Sequence, residues 1–159
     1  MQHVLVLGGG VGGTLVANLI SRKIKKQIDA GEAKVTVVDE FGEHVYQPGF
    51  MYIAMGNEDP KSLRKPERRL LDDRVELVID EVTAIDEKAQ KISLAKGDTL
   101  EYDYLILATG SRILPETIEH FEQEAHHFYS EQAAGRLRKA LDGFTGGKVV
   151  VGIASMPYK

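Results

Sequence analysis

Gly8, Gly10 and Gly13 stand in G-x-G-x-x-G order directly after the apolar run His3-Val4-Leu5-Val6-Leu7. Glycines at that spacing serve a diphosphate. The first allows a tight turn, the second lets backbone approach the phosphates, and the third lets a helix lie close on a strand. A helix opening there turns free N–H groups and the positive end of its dipole toward the same anion. Asp39 ends a second apolar run, Val35-Thr36-Val37-Val38, at the position where an acidic side chain accepts ribose hydroxyls. The gap from the glycines to Asp39 exceeds the usual spacing of about twenty residues, so an extra turn or two of helix is expected between them, with Glu40 as the fallback acid. Ala108-Thr109-Gly110 closes a third buried-type run, and a glycine at a strand's carboxyl end lets the chain turn beside a ligand.

Other chemistry-bearing residues point less far. His44 lies in the aromatic loop Phe41-Gly42-Glu43-His44-Val45-Tyr46-Gln47-Pro48-Gly49-Phe50, which reads either as one wall for a flat ring system or as a core plug, and His44 itself as an ordinary histidine or a base. The adjacent pair His126-His127 does not have metal-ligand spacing on a helix face, and no metal is expected. The basic cluster Lys61, Arg64, Lys65, Arg68 and Arg69 is followed by Asp72 and Asp73 and reads as a solvated helix face. The sequence holds no cysteine, which excludes disulfides, thiolate metal sites and redox-active thiols within it.

Strands and helices must hold these groups in place. The first strand leads into a helix over residues 12–29, with Leu15, Val16, Leu19, Ile20, Ile24 and Ile28 expected on its inward face and Gly31 as its stop. Residues 59–71 read as helical, with Pro60 near the first turn and Pro66 as a break. Residues 75–79 form a strand. Three short segments, 81–85, 91–95 and 99–102, form an antiparallel meander, and residues 103–111 give another buried strand. A loop over 112–128 leads to a helix from Ser130 to about Leu141, with Ala133, Ala134, Leu137 and Leu141 inward. Residues 148–154 read as a last buried strand, for which nothing in the sequence supplies cover on both faces.

The 159 residues suffice for one ordinary domain core, and 43% hydrophobic with 28% charged residues suits a soluble globular chain. A net charge of −4 gives no reason to expect nucleic acid. No apolar segment reaches membrane-span length and no basic, apolar leader opens the chain, so a cytoplasmic location is expected.

Taken together, the glycine fingerprint, Asp39, the meander and Ala108-Thr109-Gly110 resemble the flavoproteins with two dinucleotide-binding domains. The resemblance implies an α/β, Rossmann-like parallel sheet with a three-stranded antiparallel meander, incomplete in this chain. It implies an FAD-binding domain over 1–112, a connector and helix over 113–146, and over 147–159 the first strand of a second, truncated dinucleotide-binding domain. FAD would meet Gly8, Gly10, Val11, Gly12, Gly13, Asp39, Glu40, Gln47, Pro48, Val82, Ala108, Thr109 and Gly110. Within the superfamily, the Cys-x4-Cys pair of the disulfide reductases is missing, and the stretches 44–50 and 151–159 look like those of sulfide:quinone oxidoreductases. That resemblance implies sulfide and quinone as substrates, redox cysteines outside this chain, peripheral membrane contact through regions absent here, and possible homo-oligomers. Two other readings stay open: an NADH:quinone or ferredoxin-type FAD reductase, and a flavin-free nucleotide-binding or interaction module.

Overall fold

The structure, a computed structural model, describes residues 1–153. A parallel sheet of order β5-β2-β1-β9 lies at its centre, built from β1 (Gln2–Leu7), β2 (Ala33–Asp39), β5 (Val75–Ile79) and β9 (Tyr104–Leu107). Side chains alternate across a strand, and here the alternation divides the core into two layers. Val4 and Val6 of β1 join Val35, Val37 and Val75 on the face covered by helix α1 (Val11–Lys23). Leu5 and Leu7 join Val38 on the opposite face, under an antiparallel meander. The meander consists of β6 (Val82–Asp86), β7 (Lys91–Leu94) and β8 (Thr99–Glu101), and it contributes Ile92, Leu94 and Val82 to that layer. The expected α/β sheet with its meander is therefore present, and the parallel strands all end on the side where the glycines lie.

Several expectations differ from the structure. The helix expected over 12–29 is two helices, α1 and α2 (Lys25–Asp29), with Ile24 between them; α2 accounts for the long gap before Asp39. The inward face of α1 is made by small residues, Gly13, Thr14, Ala17 and Ser21, with Val16 and Ile20 partly buried. Leu15 and Leu19 stay exposed, because small side chains set the helix close on the sheet and turn the leucines outward.

Residues 59–71 are not one helix. A 3₁₀ turn (Pro60–Leu63) leads into β4 (Arg64–Pro66), which pairs antiparallel with β3 (Glu43–Val45), and a second 3₁₀ turn (Glu67–Arg69) follows. The basic cluster is accordingly not a solvated helix face. Arg64 pairs with Glu43 at 2.7 Å and Glu131 at 2.8 Å, and Arg68 donates to the carbonyls of Leu71 and Asp72.

The expected last strand is absent over residues 148–153, which pair with no other segment among the described residues. Apolar content alone does not make a strand; its N–H and C=O groups need a neighbouring ladder. The remainder of that expectation, and the 151–159 resemblance from Ala154 onward, lies outside the described residues. Two further short helices lie along the chain, α3 (Phe50–Ala54) and α4 (Phe121–Glu124). Helix α5 (Glu131–Asp142) starts as expected at Ser130, whose hydroxyl accepts from the Ala133 amide at 3.3 Å, and it buries Ala133 and Ala134, the latter against α3. Leu141 is exposed.

Candidate functional site

The glycines of the β1–α1 corner divide into two kinds. Gly8 has φ +102°, and a Cβ there would come within 2.5 Å of the Ala108 carbonyl oxygen. A Cβ at Gly13 would lie 1.8 Å from the Gly8 carbonyl oxygen. Backbone fills the space at both, so the fold itself demands them. Gly10 is different: its φ of −72° suits any residue, and a Cβ there would meet nothing within 4 Å. Gly12 also faces open space. Gly10 caps α1 with no side-chain bond, and the first turn carries no acid, so the amides that open a helix are left for something outside. Exposed Val11 flanks them.

Asp39 is brought to the same corner. Its Oδ2 accepts from the Gly9 amide at 2.8 Å, and its Oδ1 accepts from the amides of Gly42 at 2.7 Å and Phe41 at 3.1 Å. A carboxylate has about four acceptor positions, so most of this one ties the glycine loop to the end of β2 and one position is left for a sugar hydroxyl. Glu40 is exposed and makes no bond among the described residues. Ala108 continues from β9 against Gly8 and Gly13; Thr109 and Gly110 follow it, exposed, with Gly110 at φ +71°. Gln47 and Pro48 form an exposed 3₁₀ turn, and no hydrogen bond joins them to the glycine corner. Val82 packs its side chain into the meander layer, leaving only backbone for a ligand.

Beneath the corner lies a group that motif spacing does not reveal. Glu67 is fully buried; its Oε1 accepts from the Thr14 hydroxyl at 2.6 Å, and its Oε2 lies 3.3 Å from Nδ1 of His44. The same nitrogen is 3.2 Å from the Gly9 carbonyl oxygen. His44 thus sits under the glycine loop. Only the acidic residue standing alone inside a basic stretch could have hinted at Glu67 in the sequence. The pair His126-His127 is used locally, with His127 Nδ1 accepting from the Tyr129 amide at 3.2 Å.

A family model described as pyridine nucleotide-disulphide oxidoreductase matches residues 2–152. The chain belongs to that family. Among its relatives, a mitochondrial sulfide:quinone oxidoreductase of Mus musculus is 26% identical over 99% of this chain and 35% of its own length. A type II NADH:quinone oxidoreductase of Staphylococcus epidermidis is 31% identical over 69% of this chain and 26% of its own. The crystal structure of the sulfide:quinone oxidoreductase from Aquifex aeolicus superposes with a TM-score of 0.75 at 25% identity, covering 89% of this chain and 32% of that one. The chain thus spans about a third or less of each of these relatives.

Pyridine nucleotide-disulphide oxidoreductases of this kind are FAD-binding flavoproteins, and the corner fits that cofactor. Bare backbone at Gly10 and Gly12 leaves room for a diphosphate, the uncapped helix favours its charge, and Asp39 stands beside it.

Proposed function

We propose that this chain is the FAD-binding front portion of a flavoenzyme that oxidises sulfide and passes the electrons to a quinone. One observation carries the binding role: Gly10 has no steric or conformational reason inside the protein to be glycine, yet it stands over uncapped helix amides. Bound there, FAD supplies two-electron redox chemistry. The residues of this chain hold and orient it, with Gly10, Val11, Gly12 and Gly13 at the diphosphate, Asp39 or Glu40 at the ribose, and Ala108, Thr109 and Gly110 closing the strand side. Gly8 shapes the turn. Gln47, Pro48 and the Val82 backbone complete the proposed contact set.

The sulfide reading is supported by the loop 44–50 and by the relatives from mouse and Aquifex aeolicus. Redox thiols would come from outside these cysteine-free 159 residues, with residues 147–159 opening a second dinucleotide-binding domain. Quinone would be met at a membrane surface by the intact enzyme, on the cytoplasmic side and through other regions. No helix among the described residues is long and apolar enough to cross a membrane. The identity to the Staphylococcus epidermidis enzyme favours a second reading, NADH as the electron donor.

Titration of the purified chain with FAD tests the binding role. Retention of the flavin absorption bands after gel filtration is expected, and a colourless chain would reject that role. For the substrate, the longer protein carrying this segment is expected to bleach a quinone when given sulfide; bleaching with NADH and none with sulfide would select the second reading.

A further inference from the structure

Glu67 is a charged-type side chain with no exposed surface, placed under an anion-binding corner, and one of its oxygens has no hydrogen-bond partner. Burying a carboxylate costs several kcal/mol unless its partners are well placed, so the arrangement around it needs a physical reason. The groups facing it come from three elements. Helix α1 supplies Thr14, β3 supplies His44, and the end of β2 supplies Asp39, on the other side of Gly9. The Thr14 hydroxyl lies within reach of three acceptors: Glu67 Oε1 at 2.6 Å, the Gly10 carbonyl at 2.9 Å and the Gly9 carbonyl at 3.0 Å. It has one proton to give, and a carboxylate at that distance takes it. The Gly9 carbonyl is then left to His44 Nδ1, which also faces Glu67 Oε2.

We propose that Glu67 is a positioning residue for the dinucleotide, drawing Thr14 and His44 together beneath Gly9 and so fixing the corner whose amides meet the diphosphate. The proposal rests on the FAD-binding reading above. Electrostatics alone argues the opposite way, because a carboxylate under the loop repels an incoming diphosphate. The sign of a charge-removing substitution therefore separates the two effects.

Glu67→Gln keeps the volume but reverses one bond. Whichever way its amide lies, the NH₂ faces either Thr14 or His44, where the structure has an acceptor. The test compares wild type, Glu67→Gln, Thr14→Val and Thr14→Ser by amide hydrogen exchange in the flavin-free chain and by FAD titration. Exchange at Gly8, Gly9 and Thr14 is expected to speed up about tenfold in Glu67→Gln and Thr14→Val, while core amides at Val35, Val37 and Val38 keep their wild-type rates. FAD is expected to bind about tenfold more weakly to both variants. Thr14→Ser, which keeps the hydroxyl, is expected to match wild type in both measurements. Uniformly faster exchange, unchanged exchange, or tighter FAD binding to Glu67→Gln would each overturn the proposal. If Glu67→Gln does not fold, the Thr14 pair decides it. A wild-type chain that takes no FAD rejects the binding role, while the exchange rates still decide the brace.

Discussion

At the scale of single residues, the corner makes opposite predictions for glycines that look alike in the sequence. Gly13→Ala would push a methyl group into the Gly8 carbonyl oxygen, 1.8 Å from the Cβ position. Helix α1 must then lift from the sheet, at a stability loss of about 3 kcal/mol or more, read as a lower urea midpoint. Gly10→Ala meets nothing within 4 Å, so its urea midpoint is expected to stay within about 0.5 kcal/mol of wild type while FAD affinity falls at least tenfold. A Gly10→Ala chain that binds FAD normally would remove the reason for glycine at that position. Asp39→Asn should damage both properties. An amide cannot accept at both ends, so it places a donor against either the Gly9 or the Gly42 amide, with an expected cost of about 1–3 kcal/mol. The turn at Gly8 and the close approach of Gly13 were legible in the sequence, because a positive φ at one and a contact with Gly8 at the other are local. The ties of Asp39 to Gly9 and of Glu67 to Thr14 were not, because they join residues far apart in the chain.

At the scale of elements, strands were readable where a local pattern sets them, and obscure where pairing decides. The meander follows from apolar runs cut by turn residues, and the parallel sheet from the family resemblance. Residues 59–71 carry a helix-like pattern, but Pro66 and the partner strand β3 impose a different structure on them. His3 shows what holds the other end of the sheet. Its Nδ1 donates to the Glu101 carbonyl at 2.6 Å, and its Nε2 lies 2.8 Å from the Thr36 hydroxyl, which also reaches Glu76 Oε2 at 3.0 Å, linking β1, β2 and β8. Burial, with Lys34 nearby, holds the imidazole below its ordinary value of 6.5, the Glu101 bond and the carboxylates of Glu76 and Asp103 opposing it in part. Below 6.5 the unfolded chain takes up a proton that the folded chain refuses until a lower pH. The unfolded state then holds more protons, so stability falls as pH drops through that window and is flat above it on this account. Each tenfold difference in proton affinity is worth about 1.4 kcal/mol. Urea midpoints at pH 7.5 and 5.5 are expected to differ more for wild type than for His3→Gln, and equal differences would show that another group carries the effect.

At the scale of the whole molecule, surface area separates this chain from a self-sufficient globule. Its accessible surface is 11,425 Å² at 17.6 kDa, whereas a folded monomer of that mass exposes about 7,900 Å². Exposed apolar side chains lie both on regular elements and on the unpaired stretch 149–153. Val11, Leu15 and Leu19 expose more than half their surface along one side of α1, and Tyr104 and Leu107 do so on β9, the outer strand of the sheet, one edge of which has no partner strand among the described residues. Contiguous apolar surface and an open strand edge call for cover. In the proposed flavoenzyme that cover comes from the rest of the protein, in keeping with the 26–35% of each relative that this chain spans. Alone, the chain is expected to satisfy the same surfaces with copies of itself. Sedimentation at increasing concentration should show association beyond the monomer. Leu107→Lys places a charge on the open strand and should shift the distribution toward monomer, and Leu15→Lys with Leu19→Lys should lower the binding of an apolar dye. The longer protein should bind less dye per unit mass than this chain does. A chain that stays monomeric and dye-free at every concentration would mean that these faces tolerate water, and the reading of it as one part of a larger enzyme would lose its physical support.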